Sequence, residues 1–295
     1  TKTAWMPDYS YPILQWNPNG KSLAIVTEKK AKNFITFYVL DENDKMTKPL
    51  SKLDRVLDMV YSPDGKSMVL SAVRNGQTDL YQYNVVSNFQ KQLTNDIYDD
   101  HNPAYLSPTR VIFSSNRDED TLRIGGRIEP VAATYDLFSL NISSRINVLK
   151  RVTNTPLINE TKPLRKDTTN FVYLSDETQT VARYIAYFDS VISHIDTAFH
   201  YRHVTVSRPM KSYSRNIIEH HFASDKDVMV QLFFKDGKYY LSFESITGPQ
   251  AILPANMNGN IIETIGKEKQ SIKVVMGQLD YKLVAIDARK QHEVD

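Results

Sequence analysis

Three prolines, Pro18, Pro63 and Pro108, fall 45 positions apart, and each stands in the same local phrase. Trp16-Asn17-Pro18-Asn19-Gly20-Lys21-Ser22 precedes the apolar run Leu23-Ala24-Ile25-Val26. Tyr61-Ser62-Pro63-Asp64-Gly65-Lys66-Ser67 precedes Met68-Val69-Leu70, and Leu106-Ser107-Pro108-Thr109-Arg110 precedes Val111-Ile112-Phe113. Proline presets φ for the first central position of a turn, and glycine takes its left-handed exit. Each phrase therefore predicts a tight turn between two strands. In the second unit a strand from Met68 to Ala72 leads into the turn Arg74-Asn75-Gly76-Gln77. An alternating strand from Asp79 to Val85 and a short one from Gln90 to Thr94 complete it. Four antiparallel strands every 45 residues or so predict the blades of a β-propeller.

The third unit copies the second. Ser114-Ser115-Asn116-Arg117 stands for Ser71-Ala72-Val73-Arg74, and Tyr135-Asp136-Leu137-Phe138 for Thr78-Asp79-Leu80-Tyr81. Arg151-Val152-Thr153-Asn154 stands for Gln92-Leu93-Thr94-Asn95. A fourth unit opens at Asn159-Glu160-Thr161-Lys162-Pro163 and continues into Phe171 to Ser175. Beyond it the repeat decays into two expected hairpins, one around Lys235-Asp236-Gly237 and one over Ile272 to Asp287. Four residues separate Arg74 from Asp79, but eighteen separate Arg117 from Asp136. A second elaboration is read over Ile192 to Arg215. Residues 1–295 thus read as one all-β propeller domain with enlarged blades near 99–157 and 158–222. Setting the two elaborations aside, a length of about 45 residues per blade predicts six blades, with five or seven as alternatives.

The phrase Ser-Pro-Asp-Gly-Lys, apolar strand, Ser-x-x-Arg, Asp-Leu-Tyr, Leu-Thr resembles the repeat of TolB-like propellers. It is also similar to the repeat in propeller domains of dipeptidyl-peptidase-type enzymes. The resemblance covers residues 15–175 and is made of turn and packing residues, so it signals fold more than function. The TolB-like resemblance implies a non-enzymatic scaffold that docks proteins in the bacterial periplasm or cell envelope. The peptidase resemblance implies the alternative of a substrate-gating propeller, and a propeller hydrolase or lyase with a site at the channel mouth is a third reading. The repeat pattern runs close to both ends, which is the reading of a segment from a longer protein.

The 36 basic and 34 acidic residues nearly cancel, which gives no electrostatic case for nucleic acid. No run of apolar residues reaches membrane-spanning length. The absence of cysteine excludes disulfides and thiolate metal sites. No Gly-x-Ser-x-Gly elbow occurs, so no catalytic residue, cofactor or metal is assigned. His194, His200, His203, His220 and His221 are weighed as zinc ligands. His200 and His203 point to opposite faces of a strand, as do His220 and His221, so they read as solvated or cross-strand histidines. Asp99, Asp100, Asp118, Glu119 and Asp120 read as solvated turn residues, and the recurring Asp79 and Asp136 as ties within each blade. Gly125-Gly126 lacks the ending of a phosphate loop.

Loops on a rigid scaffold are where binding concentrates. Both elaborations are placed near the connection leading to the third strand of their blades, where they are expected to meet as one wall. The partner-binding candidates are Arg117, Leu122, Arg123, Arg127, His200 and Arg202, with Ile124, Ile128, Ile195 and Phe199 as apolar support. The partner is a protein, and the chain is expected to be a monomer.

Overall fold

The computed structural model describes residues 12–245, apart from 43, 119, 123–131, 144–147, 196–198 and 224–226, together with the backbone of 286–287. The chain divides into two compact units, Thr1–Asn216 and Ile217–Asp295. The protein is an all-β propeller of four-stranded antiparallel blades. Five such sheets are present among the described residues, not the six that chain length predicted. The difference lies in the second unit, where Ile217–Asp295 contributes one described sheet.

In the first unit, blade one comprises β1 (Ile13–Trp16), β2 (Ser22–Lys29), β3 (Lys32–Val39) and β4 (Asp44–Pro49). Blade two comprises β5 (Arg55–Tyr61), β6 (Ser67–Arg74), β7 (Gln77–Asn84) and β8 (Gln90–Gln92). Blade three comprises β9 (Asp100–Ser107), β10 (Arg110–Ser115), β11 (Asp136–Asn141) and β12 (Val148–Arg151). Blade four comprises β13 (Glu160–Arg165), β14 (Asn170–Ser175), β15 (Ala182–Ile195) and β16 (Phe199–Pro209). The first strands β1, β5, β9 and β13 are successive neighbours, as radial blades require. The second unit holds β17 (Ile217–Ala223), β18 (Val228–Lys235), β19 (Lys238–Ser245) and β20 (Ile286–Asp287) in one sheet. Its β18–β19 hairpin turns at Asp236-Gly237 as expected. Of the other expected hairpin only β20 is described, and residues 1–11 lie outside the described residues.

The repeated phrases form matching turns. Gly20 N–H donates to the Asn17 carbonyl at 2.9 Å, and Gly65 N–H to the Ser62 carbonyl at 2.8 Å. Both glycines have φ near +70°, at +70° and +68°. Gly65 has a second constraint, because a Cβ there would lie 2.8 Å from Oδ1 of Asn17 in blade one. Trp16, Tyr61 and Tyr105 occupy matching places near the ends of the first strands.

Alternation along each second strand distributes its side chains between two neighbouring blades. Met68 and Leu70 pack with Val26 and Ile35 of blade one, whereas Val69 packs with Val111 and Phe113 of blade three. Phe113 in turn faces blade two, and its neighbour Ile112 faces Phe171 and Tyr173 of blade four. Burying a side chain of this size stabilises by about 1.5–3 kcal/mol, so each inter-blade layer is a core in its own right.

Candidate functional site

The recurring Asp79 and Asp136 sit at equivalent register positions, opposite Ala72 and Ser115. Each is tied to the fourth strand of its own blade. Gln92 Nε2 donates to Asp79 Oδ2 at 3.0 Å, and Arg151 Nη1 donates to Asp136 Oδ2 at 2.6 Å. One residue along, the Leu80 and Leu137 amides donate to the Thr94 and Thr153 hydroxyls at 2.9 and 2.8 Å. The sequence reading of these aspartates as ties within a blade matches this geometry.

The following blade adds an acid to each junction. Asp100 and Glu160 stand at matching places at the starts of β9 and β13, opposite Ser115 and Ser175. Asp100 is fully buried, a correction to its reading as a solvated turn residue. Its burial is compensated by Arg117, which binds both Asp100 oxygens through Nη2 at 2.7 and 2.9 Å. The same guanidinium reaches Asp96 through Nη1 at 3.0 Å and Ser115 through Nε at 2.9 Å. It also lies over the rings of Tyr98, Phe113 and Phe138. Arg117 was expected at a partner-binding rim. It instead closes the junction of blades two and three, because two buried carboxylates claim its charge.

Oxygen atoms of Asp79, Asp96 and Asp100 lie within 4.8 Å of one another. The Arg117 guanidinium already bridges two of them, so a cation entering there would be placed beside an arginine. Burial, followed by the negative charges of Asp100 and Asp96, pushes the Asp79 carboxyl up to about 7. Its Oδ1 has no hydrogen-bond partner among the described residues. For Asp100, burial pushes the carboxyl up and Arg117 opposes it. Glu160, at the next junction, is pushed by burial to about 7. Burial thus raises a carboxyl at each of two successive blade boundaries.

The two elaborations leave their blades from opposite ends. The β10–β11 connection leaves blade three from its Ser115/Asp136 end, which adjoins blade four through the Glu160 amide bonded to the Tyr135 carbonyl at 2.7 Å. The fourth-blade elaboration is the β15–β16 hairpin, the connection between third and fourth strands. It leaves blade four from the opposite end, where Asn170 pairs with Tyr187. The described roots of the expected wall thus stand at opposite ends of blades three and four. At the root of the first, Leu122 packs against the blade two and three core. Arg151 Nε binds Asp120 at 2.5 Å, and Tyr98 donates to Asp118. Arg123, Arg127, Ile124 and Ile128 lie outside the described residues.

The second feature is a ribbon. β14 pairs with β15 only over Ala182 to Tyr187, whereas β15 pairs with β16 as far as Ile195 and Phe199. Residues 188–195 thus run on with a single partner strand among the described residues. Eight residues at about 3.3 Å each carry the ribbon roughly 26 Å from the blade. His200 and Arg202 alternate on one face of it with Val191 and Tyr187, and Phe188, Ser190, Ile192 and His203 share the other. Val191, Ile192 and Phe199 are exposed, Phe199 at 60%. At the ribbon's base Phe188 packs on Phe171, with ring centroids 5.3 Å apart, and Arg110 lies over it at 5.9 Å. These residues, with Leu106 and Asp167, line an open groove of about 270 Å³. Burial pushes the Asp167 carboxyl up, but the Thr169 and Asn170 amides outweigh it and hold the group well below the usual range. Asp167 is therefore a turn anchor and not a proton donor.

Solved structures with this architecture include TolB from Acinetobacter baumannii, with a TM-score of 0.56 and 16% identity over 79% of this chain and 51% of that one. Putative TolB from Agrobacterium tumefaciens gives a TM-score of 0.57 and 14% identity over 80% and 76% of the two chains. The fold is TolB-like. An oligogalacturonate lyase in complex with manganese shares this TolB-like architecture, with a TM-score of 0.50 and 10% identity over 81% and 63%. The chain spans about half the length of the Acinetobacter TolB. No protein-family model matches it. No curated protein matches it either.

Proposed function

We propose that this chain is a non-enzymatic, TolB-like propeller scaffold that docks a protein partner, with the β15–β16 ribbon as the docking element. The carrying observation is that residues 188–195 extend as a ribbon with one partner strand among the described residues and exposed apolar side chains on both faces. An isolated two-stranded ribbon is marginal in water, and its outer edges present unpaired backbone donors and acceptors. Natural edges are guarded by charged residues, proline or bulges, which over residues 188–195 amount to Asp189 and the register shift between Ile192 and His194. An extended segment of a partner can add along such an edge, with main-chain hydrogen bonds for affinity and alternate side chains for specificity. Of the sequence-derived candidates, His200 and Arg202 lie on this element. The envelope location implied by the TolB-like resemblance belongs to the same reading.

The test places a photo-crosslinking amino acid at Ile192 or Phe199, with the exposed Val86 of blade two as control. A second variant replaces residues 191–202 by Asn-Gly, closing the hairpin at Ser190 and His203. The expected result is one adduct formed from both ribbon positions and not from Val86, and lost from the native assembly when the ribbon is shortened. If a folded, shortened chain keeps every partner of the full chain, the ribbon is not the docking element.

A further inference from the structure

β14 and β15 part company at a defined point. Asn170, the first residue of β14, pairs with Tyr187, and beyond it β15 continues with β16 alone among the described residues. β14 and β16 lie on opposite edges of β15, so the edge left open over residues 188–195 is in line with β14. A segment that adds to this edge antiparallel to β15 runs in the same direction as β14, which is itself antiparallel to β15. Its C-terminal end therefore arrives at Phe188. The way ahead is closed there. β14 occupies the next stretch of edge, and residues 166–169 cap it, with the Lys166 and Asp167 amides donating to the Asn170 carbonyl at 3.0 and 3.1 Å. The groove lined by Leu106, Arg110, Asp167, Phe171 and Phe188 opens at this point.

We infer that the docked segment is the free C-terminus of a partner protein, with an apolar last side chain in this groove and its terminal carboxylate on Arg110. The inference rests on the ribbon being the docking element. Arg110 is exposed, and its guanidinium lies over the Phe188 ring, 5.9 Å from the centroid. An arginine placed over a ring still presents its in-plane N–H donors, whose fork matches a carboxylate. No carboxylate pairs with it among the described residues. The groove's own acid does not compete. Asp167 accepts from Asn170 Nδ2 at 3.0 and 2.9 Å and from the Thr169 and Asn170 amides, both at 2.8 Å. Arg165 and Lys166 adjoin it, and Asp189 points to the other face of β15 from Phe188, so the rim favours an anion. Leu106, Phe171 and Phe188 give the last side chain an apolar wall. Strand addition ending in capture of a terminal carboxylate combines two general modes of peptide recognition.

The experiment selects a random octapeptide library, displayed with free C-termini, on the full 295-residue chain. Enriched sequences are then synthesised as free acids and as C-terminal amides and titrated by fluorescence anisotropy. They should end in an aliphatic or aromatic residue, and each acid should bind about tenfold or more tighter than its amide. Arg110→Gln should weaken the acid about tenfold and leave the amide unchanged. Lys91→Gln, an exposed cation of blade two, should change neither. The chain with the shortened ribbon should bind neither peptide. The acid–amide comparison uses the unaltered chain, so it does not depend on the folding of a variant. Peptides that need the ribbon but bind equally well as acid and amide, or equally well to Arg110→Gln, overturn the C-terminal assignment and leave the ribbon reading standing. A selection that yields no ribbon-dependent peptide overturns both.

Discussion

Asp79→Asn isolates a proton held inside the protein. The Asp79 side chain is about 1% exposed, accepts from Gln92, and has its carboxyl pushed from an ordinary 3.8 to about 7, chiefly by burial. In the unfolded chain the same group ionises near its ordinary value. Between pH 4 and pH 7 the folded state therefore binds a proton that the unfolded state has released. Stability must fall as pH rises through that window and level off above it. A pKa difference of one is 1.36 kcal/mol, so the rise to about 7 sets a ceiling of about 4 kcal/mol. Water entry and relaxation around the ionised group bring the working figure down to about 1–2 kcal/mol. An asparagine keeps the oxygen that Gln92 needs and cannot ionise. Urea unfolding at pH 4.5, 6, 7 and 8 should show a variant about 1–2 kcal/mol more stable than the parent at pH 8 and equal to it at pH 4.5. Equal pH slopes for the two proteins would refute the assignment of the proton to Asp79.

Glu160→Gln should flatten the same pH window independently, since Glu160 is also pushed to about 7 by burial, and the double variant should be nearly additive. Arg117→Met leaves Asp96 and Asp100 buried without their countercharge, which should cost about 3–5 kcal/mol in urea unfolding at pH 7. That loss should shrink as the pH falls, because the orphaned carboxylates, already pushed up by burial, take up protons. Gly65→Ala should cost more than Gly20→Ala, whose Cβ meets open space, although both positions carry the ~1–2 kcal/mol cost of a left-handed alanine. Conversely, Ala31→Gly should raise stability by up to about 1 kcal/mol, because Ala31 holds φ at 56° in the β2–β3 turn. Thermal or urea melts decide both comparisons.

The turn phrases were legible because their chemistry is local. Pro63, Asp64 and Gly65 specify a turn whatever lies around them, and the Ser62 hydroxyl closes it on Asp64 at 2.6 Å. Asp79 and Asp136 were legible as ties because they recur at one place in successive blades. The role of Arg117 was not, because its partners Asp96 and Asp100 are acids in a run that reads as a hydrophilic turn. Only the approach of blade three to blade two turns that run inward. The fourth-blade elaboration was misplaced for a specific reason. Arg183 occupies the position of Leu80 and Leu137, as the Met210 amide bonded to its carbonyl shows, so the Asp-Leu marker of the third strand is missing there. Without that marker, a long hairpin between the third and fourth strands is read as an insertion ahead of the third.

The carboxylate junctions make the order of the blades part of the chemistry. Blade two carries Asp79 and Asp96, and the arginine that pairs with Asp96 and Asp100 is carried by blade three. Blade four has Glu177 at the repeat position of Arg117. Moved up to follow blade two directly, it would present Glu160 and Glu177 to Asp79 and Asp96, four acids without a cation. Blades that look alike as four-stranded sheets are therefore not exchangeable parts. A duplication or deletion of a whole blade, the usual route by which repeat proteins change length, would meet an electrostatic mismatch at this boundary and not at the hydrophobic layer beneath it.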